Sequence, residues 1–136
     1  MGPLDKFILN KDSLAASPSG FALSFRSHWY RSLPLSSIGT LRIAVGGVPV
    51  TEDQMSLEVN DRQFPISQLS GLFNEWWFIL DSARLNVAWS PALRRGQRYS
   101  IDFTLGLYIP YILVGPDADP VLTTSHVARE LICEEQ

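Results

Sequence analysis

Tyr99-Ser100-Ile101-Asp102-Phe103-Thr104-Leu105-Gly106-Leu107-Tyr108-Ile109-Pro110-Tyr111 is apolar or aromatic at every odd position. The even positions carry Ser100, Asp102, Thr104, Gly106, Tyr108 and Pro110. Side chains leave a strand on alternate faces, so this period of two specifies a half-buried β-strand. The stretch is long for one strand, and Gly106 is the expected place for a bend or a change of sheet.

The chain on either side reads the same way. Gly115-Pro116-Asp117-Ala118-Asp119-Pro120 has the composition of a loop long enough to change sheets, and Val121 to Ile132 reads as a last strand. Upstream, Arg94 to Arg98 reads as a solvated hairpin tip, after a strand through Leu85, Val87 and Trp89 that Pro91 closes. Trp76 to Leu80 is apolar on both sides, and Ile66 to Asn74 has room for one helical turn at most. Asn60-Asp61 is a two-residue hairpin turn that sets Val59 opposite Arg62, Leu57 opposite Phe64 and Met55 opposite Ile66. Gly46-Gly47 ends a strand through Leu41, Ile43 and Val45. Phe21, Leu23 and Phe25 mark another strand. Lys11 to Gly20 is loop by composition, and Asp5 to Asn10 is a short first strand. Ser27 to Ser36 mixes aromatic rings, a cation and a proline with no regular period.

About eight short strands at this spacing, with turns of Gly, Asn-Asp and Pro, predict an all-β antiparallel sandwich, jelly-roll-like and with little helix. Residues 1–136 are expected to form one domain.

Composition narrows the function. The net charge is −3 and no basic stripe is present, which argues against nucleic acid. Charged residues make up 18%, below the ~25% of an average domain, which leaves room for an apolar partner-facing patch. A single cysteine, Cys133, suits a reducing cytoplasm. The first residues lack a signal-peptide pattern, and no window resembles a membrane span.

No catalytic constellation stands out. His28 has no partner residues at metal-ligand spacing and is expected to be structural or interfacial, as is His126. Cys133 reads as a buried small hydrophobe. Asp102 is one carboxylate on a polar strand face, whereas glycoside hydrolysis needs two. Trp76 and Trp77 must point to opposite faces, so one ring fills the core and the other lies outside, under a loop or in an interface.

Gly20-Phe21, Trp29-Tyr30-Arg31-Ser32-Leu33-Pro34-Leu35-Ser36, Trp76-Trp77-Phe78 and Leu105-Gly106-Leu107 with Tyr111 follow one another in the order and spacing of a known family. The chain resembles the small (β) subunit of bacterial C-glycoside deglycosidases, from about Phe7 to Ile132. The resemblance implies a cytoplasmic, heteromeric carbon–carbon lyase that acts on 3-keto C-glycosides, such as those of flavonoids. It implies a TIM-barrel α subunit similar to sugar isomerases, holding the base and a divalent metal, with Mn2+ expected. No catalytic or metal-binding residue carries over to this chain. The partner surface is expected at His28, Trp29, Tyr30, Arg31, Leu33, Pro34, Trp77, Tyr108, Pro110 and Tyr111. The alternative is a stand-alone carbohydrate-binding β-sandwich module that uses exposed tryptophans.

Overall fold

The computed structural model describes residues 8–9, 13–27, 32–78, 82–117 and 119–134, without the side chains at 110–112, 114 and 120. The strands are β1 (Leu14–Ser17), β2 (Gly20–Phe25), β3 (Leu33–Pro34), β4 (Ile38–Val45), β5 (Val48–Pro49), β6 (Met55–Val59), β7 (Arg62–Pro65), β8 (Trp76–Trp77), β9 (Ala83–Ala88), β10 (Arg98–Val114) and β11 (Asp119–Ile132). Three of these, β3, β5 and β8, hold two residues each, which leaves eight longer strands. Among the described residues helix is confined to 3-10 turns at Leu35–Ser37, Glu52–Gln54 and Ile66–Gly71.

A five-stranded sheet in the order β1-β2-β9-β6-β7 faces a four-stranded one, β11-β10-β4-β5, and β3-β8 forms a third, small sheet. Every pairing between these strands is antiparallel. The period of two does what it predicts: Ile101, Phe103, Leu105, Leu107 and Ile109 are all fully buried. They share one core with Phe21, Leu23, Phe25, Leu57 and Leu85 of the facing sheet. Phe25 of β2 packs on Phe103 of β10 with ring centroids 4.8 Å apart, which joins the two sheets. Burying such a side chain is worth about 1.5–3 kcal/mol.

The Asn60-Asp61 hairpin forms in the expected register, with Val59 opposite Arg62 and Leu57 opposite Phe64. The ladder ends at Ser56 and Pro65, because Ile66 starts a 3-10 helix and does not pair with Met55. Asn60 and Asp61 both have positive φ, at 55° and 61°, as this tight turn requires. Gly46 and Gly47 turn the chain with φ of 56° and 84°.

Several expectations are corrected. Ser13 to Gly20 is not loop: Leu14–Ser17 pairs with β2 across a Pro18-Ser19 turn, and the apolar Leu14 is buried. Ile8 and Leu9 are buried but lie in a bend, and the rest of the predicted first strand falls outside the described residues. Gly115 to Pro120 does not change sheets; it tips a long β10–β11 hairpin within one sheet. Arg94 to Arg98 is not a hairpin tip, because the chain passes there from β9 in the five-stranded sheet to β10 in the four-stranded one. The helix after Ile66 runs six residues, two 3-10 turns rather than one. Of the strand expected over Trp76–Leu80, Trp76–Trp77 forms and Phe78 lies beyond it, while Ile79 and Leu80 fall outside the described residues. At Gly106 the strand does not leave its sheet; its ladder to β4 slips there, leaving Gly39 as the extra residue of a bulge. A second slip lies between Ile109 and Leu113, where Pro110 has no N–H to give the ladder. Among the described residues no helix is long and apolar enough to cross a membrane.

Candidate functional site

The segment from Leu33 to Gly39 ties together the two aromatic regions singled out in the sequence. At its start β3 pairs with β8, Leu33 opposite Trp77 and Pro34 opposite Trp76. The Leu35 N–H donates to the Glu75 carbonyl at 2.8 Å, and the Ser36 N–H to the Leu72 carbonyl at 3.1 Å. At its end Gly39 lies under Tyr108. A Cβ at residue 39 would fall 2.4 Å from the Tyr108 ring, so only glycine lets the ring lie there.

Strand alternation decides what each side chain can do. Leu33 and Trp77 point inward, and Trp77 stacks edge-on against Phe25 at 5.3 Å between centroids. The sequence expectation sets both on the partner surface; in the structure their side chains fill this domain's own core. Trp76 is the outward ring, 43% exposed, and Pro34 beside it is half-buried. Phe73 and Phe78 flank it at 68% and 54% exposure. Three large rings therefore stand in water within a segment six residues long.

That segment is fastened. The Asn60 side-chain amide donates to Glu75 Oε2 at 2.9 Å and to the Trp76 carbonyl at 2.7 Å. Arg62 donates to Glu75 Oε1 at 2.9 Å, with its guanidinium over the Phe64 ring. The β6–β7 turn thus holds the backbone beneath the exposed rings. At the other end, Tyr108 stands exposed opposite Leu122, with Leu113 further along the hairpin.

Of the other expected surface residues, His28, Trp29, Tyr30 and Arg31 lie outside the described residues, as do the side chains of Pro110 and Tyr111. The partner surface expected from the sequence includes neither Phe73 nor Phe78, and the Asn60–Glu75 fastening is not among its features. The available signal was the Trp76-Trp77 pair, whose outer ring had to go somewhere.

The titratable groups offer little chemistry. His126 Nε2 lies 2.6 Å from Asp102 Oδ1 across β10–β11, but each side chain is about half exposed on an open face. Such a pair is worth about 0–1 kcal/mol. Cys133 is buried, and burial pushes its thiol above the ordinary value, with the Glu134 charge adding to the effect. Among the described residues no three of His, Cys, Asp and Glu come together as metal donors.

Residues 5–111 match the family model described as "C-glycoside deglycosidase beta subunit". The chain belongs to that family. The match takes in the whole five-stranded sheet and stops inside β10. The chain is 34% identical to the 3'-dehydrocarminate deglycosidase β subunit of a Microbacterium species, covering 79% of this chain and 80% of that one. It is 34% identical to a C-glycoside deglycosidase β subunit of Arthrobacter globiformis, covering 78% and 80%. A third family member, from Eubacterium cellulosolvens, is 27% identical over 74% and 71%.

Proposed function

We propose that this chain is the β subunit of a heteromeric, cytoplasmic C-glycoside deglycosidase and that it works only with a larger α subunit. Family membership carries the reading, since the relatives are named as β subunits. The exposed rings at Phe73, Trp76, Phe78 and Tyr108 supply a surface suited to a protein partner, because aromatic residues are enriched at interface cores. The reaction is elimination from a 3-keto C-glycoside. A ketone at C3 acidifies the proton on C2. A base removes that proton, the electron pair forms the C1–C2 double bond, and the aglycone carbon leaves C1 and takes up a proton. One relative is named for a 3'-dehydro substrate, which supports a ketone at that position.

The described residues present no donor set for the divalent metal that the family resemblance implies, so no step in this chain is assigned to it. The reading assigns metal and base to a barrel-shaped α subunit. A second reading rests on the same rings: Trp76 and Phe73 could stack on sugar in a carbohydrate-binding module. One set of measurements separates them. The isolated chain should leave a 3-keto C-glycoside uncleaved, pass unretarded through a sugar affinity column, and give turnover once the α subunit is added. Turnover by the lone chain, or sugar retention without assembly, would reject the proposal.

A further inference from the structure

The outer edge of β4 is unpaired where the chain turns away from it. Within a strand, the N–H and C=O of one residue point to the same side, and successive residues alternate. The Gly46 N–H donates to the Ser100 carbonyl at 2.9 Å, so residues 46, 44 and 42 face β10. The Val50 N–H donates to the Ile43 carbonyl at 2.9 Å, so residues 45, 43 and 41 face the opposite edge. Leu41 is the next residue of that parity, and β5 does not reach it. After Val50 the chain enters the Glu52–Gln54 turn, capped by Thr51, whose N–H donates to Gln54 Oε1 at 2.9 Å. Gln54 Nε2 in turn donates to the Ala88 carbonyl at 3.1 Å, which draws the turn across to the facing sheet.

Among the described residues nothing pairs with the Leu41 N–H or C=O on that edge. Leu41 is only 7% exposed, so these groups lie at the floor of an open groove of about 470 Å³. Gly39, Arg42, Pro49, Val50 and Met55 line it. Backbone groups in such a place are normally paired. We infer that an extended segment of the partner subunit adds to β4 in this groove, exchanging hydrogen bonds with Leu41; the inference rests on the assembly reading above.

An extended peptide is the occupant because an outward-facing N–H and C=O from one strand residue match another strand's backbone, as in strand addition to sheet edges. Continuity places it on the partner, since the groove begins at Gly39, directly under the exposed Tyr108. A second copy of this chain does not fit. Two copies paired antiparallel at Leu41 would set residue 39 of one opposite Ile43 of the other, where Val50 already sits.

Single-residue amide hydrogen exchange tests this on the free chain and on its complex with the cognate α subunit. Leu41 should exchange readily in the free chain and slow by ~100-fold or more in the complex, as a locally open amide does when paired. Thr40 and Arg42, already facing β10, should not change. Unchanged exchange at Leu41 in a complex that co-elutes would overturn strand addition and leave assembly standing. Equal slowing of residues 40–42 would mean simple coverage of a face, and also overturns it. Slowing that depends on the concentration of the lone chain would mean self-pairing and reject the partner. Failure of the two chains to co-elute removes the assembly reading and strand addition with it.

Discussion

Trp76 and Trp77 are neighbours in sequence with opposite fates. Trp77 is 2% exposed and packs against Phe25, which itself packs against Phe103 across the two sheets. Trp76 stands 43% exposed between Phe73 and Phe78, on a backbone held by Asn60 and Glu75. Core rings gain from being removed from water within their own chain. The outer rings keep about half or more of their surface in water and gain the rest only when something covers them. Aromatic content alone therefore does not say which rings face water; the direction in which each ring leaves its strand does so.

The comparison breaks first at the inner ring. Trp77→Ala should cost about 3–5 kcal/mol of stability, as large-to-small core substitutions of this kind do. Urea unfolding of the chain checks it, and a cost equal to that of Trp76→Ala would erase the distinction between the rings. Trp76→Ala itself should change stability by only about 0.5 kcal/mol, as surface substitutions usually do. The same change should weaken assembly with the α subunit by ~2 kcal/mol or more if the outer rings are interface anchors. Titration calorimetry would show whether affinity, rather than melting temperature, carries the loss.

The fastening gives a smaller effect. Asn60→Gly keeps the positive φ of the turn but removes the bonds to Glu75 and Trp76, and should cost about 1–2 kcal/mol. No change in the unfolding midpoint would mean that the ledge is held by something else. Arg62→Ala should cost less than about 1 kcal/mol, because that ion pair has a largely exposed partner.

Smallest is the effect of Cys133. Its thiol is pushed up in the folded state, so folding favours the protonated form. That contribution is fully present below the ordinary thiol value of 9.0 and is lost as pH rises through the raised one. Compared with Cys133→Ala, the natural chain should lose stability as pH climbs past 9.0 and show no such difference at neutral pH. Unfolding curves for both proteins across that range check the sign.

Much of the fold was legible because most strands have one face in the core. Alternation in Tyr99–Tyr111 marked β10, and the Asn60-Asp61 turn set the β6–β7 register. Leu14–Ser17 escaped because Leu-Ala-Ala-Ser has one large apolar residue and no alternation to read. The hairpin at Gly115 reads as a sheet change in sequence because its glycine and prolines mark a turn without naming the strand that follows. At the candidate site the sequence marks the aromatic segments and expects Trp77 outward, whereas Trp77 is the buried ring and Trp76 the exposed one. Parity along a two-residue strand has no phase until a partner is known.

By itself the sequence determined the strand-rich class, the best-specified hairpin and the family, because side-chain period, turn chemistry and motif order are local properties. Tertiary structure alone decided which tryptophan faces water, that Asn60 reaches Glu75, and that Leu41 keeps an open edge. Each of those depends on residues far apart in the chain meeting in space. The free energy of such a meeting belongs to the packed pair and is written in neither segment separately.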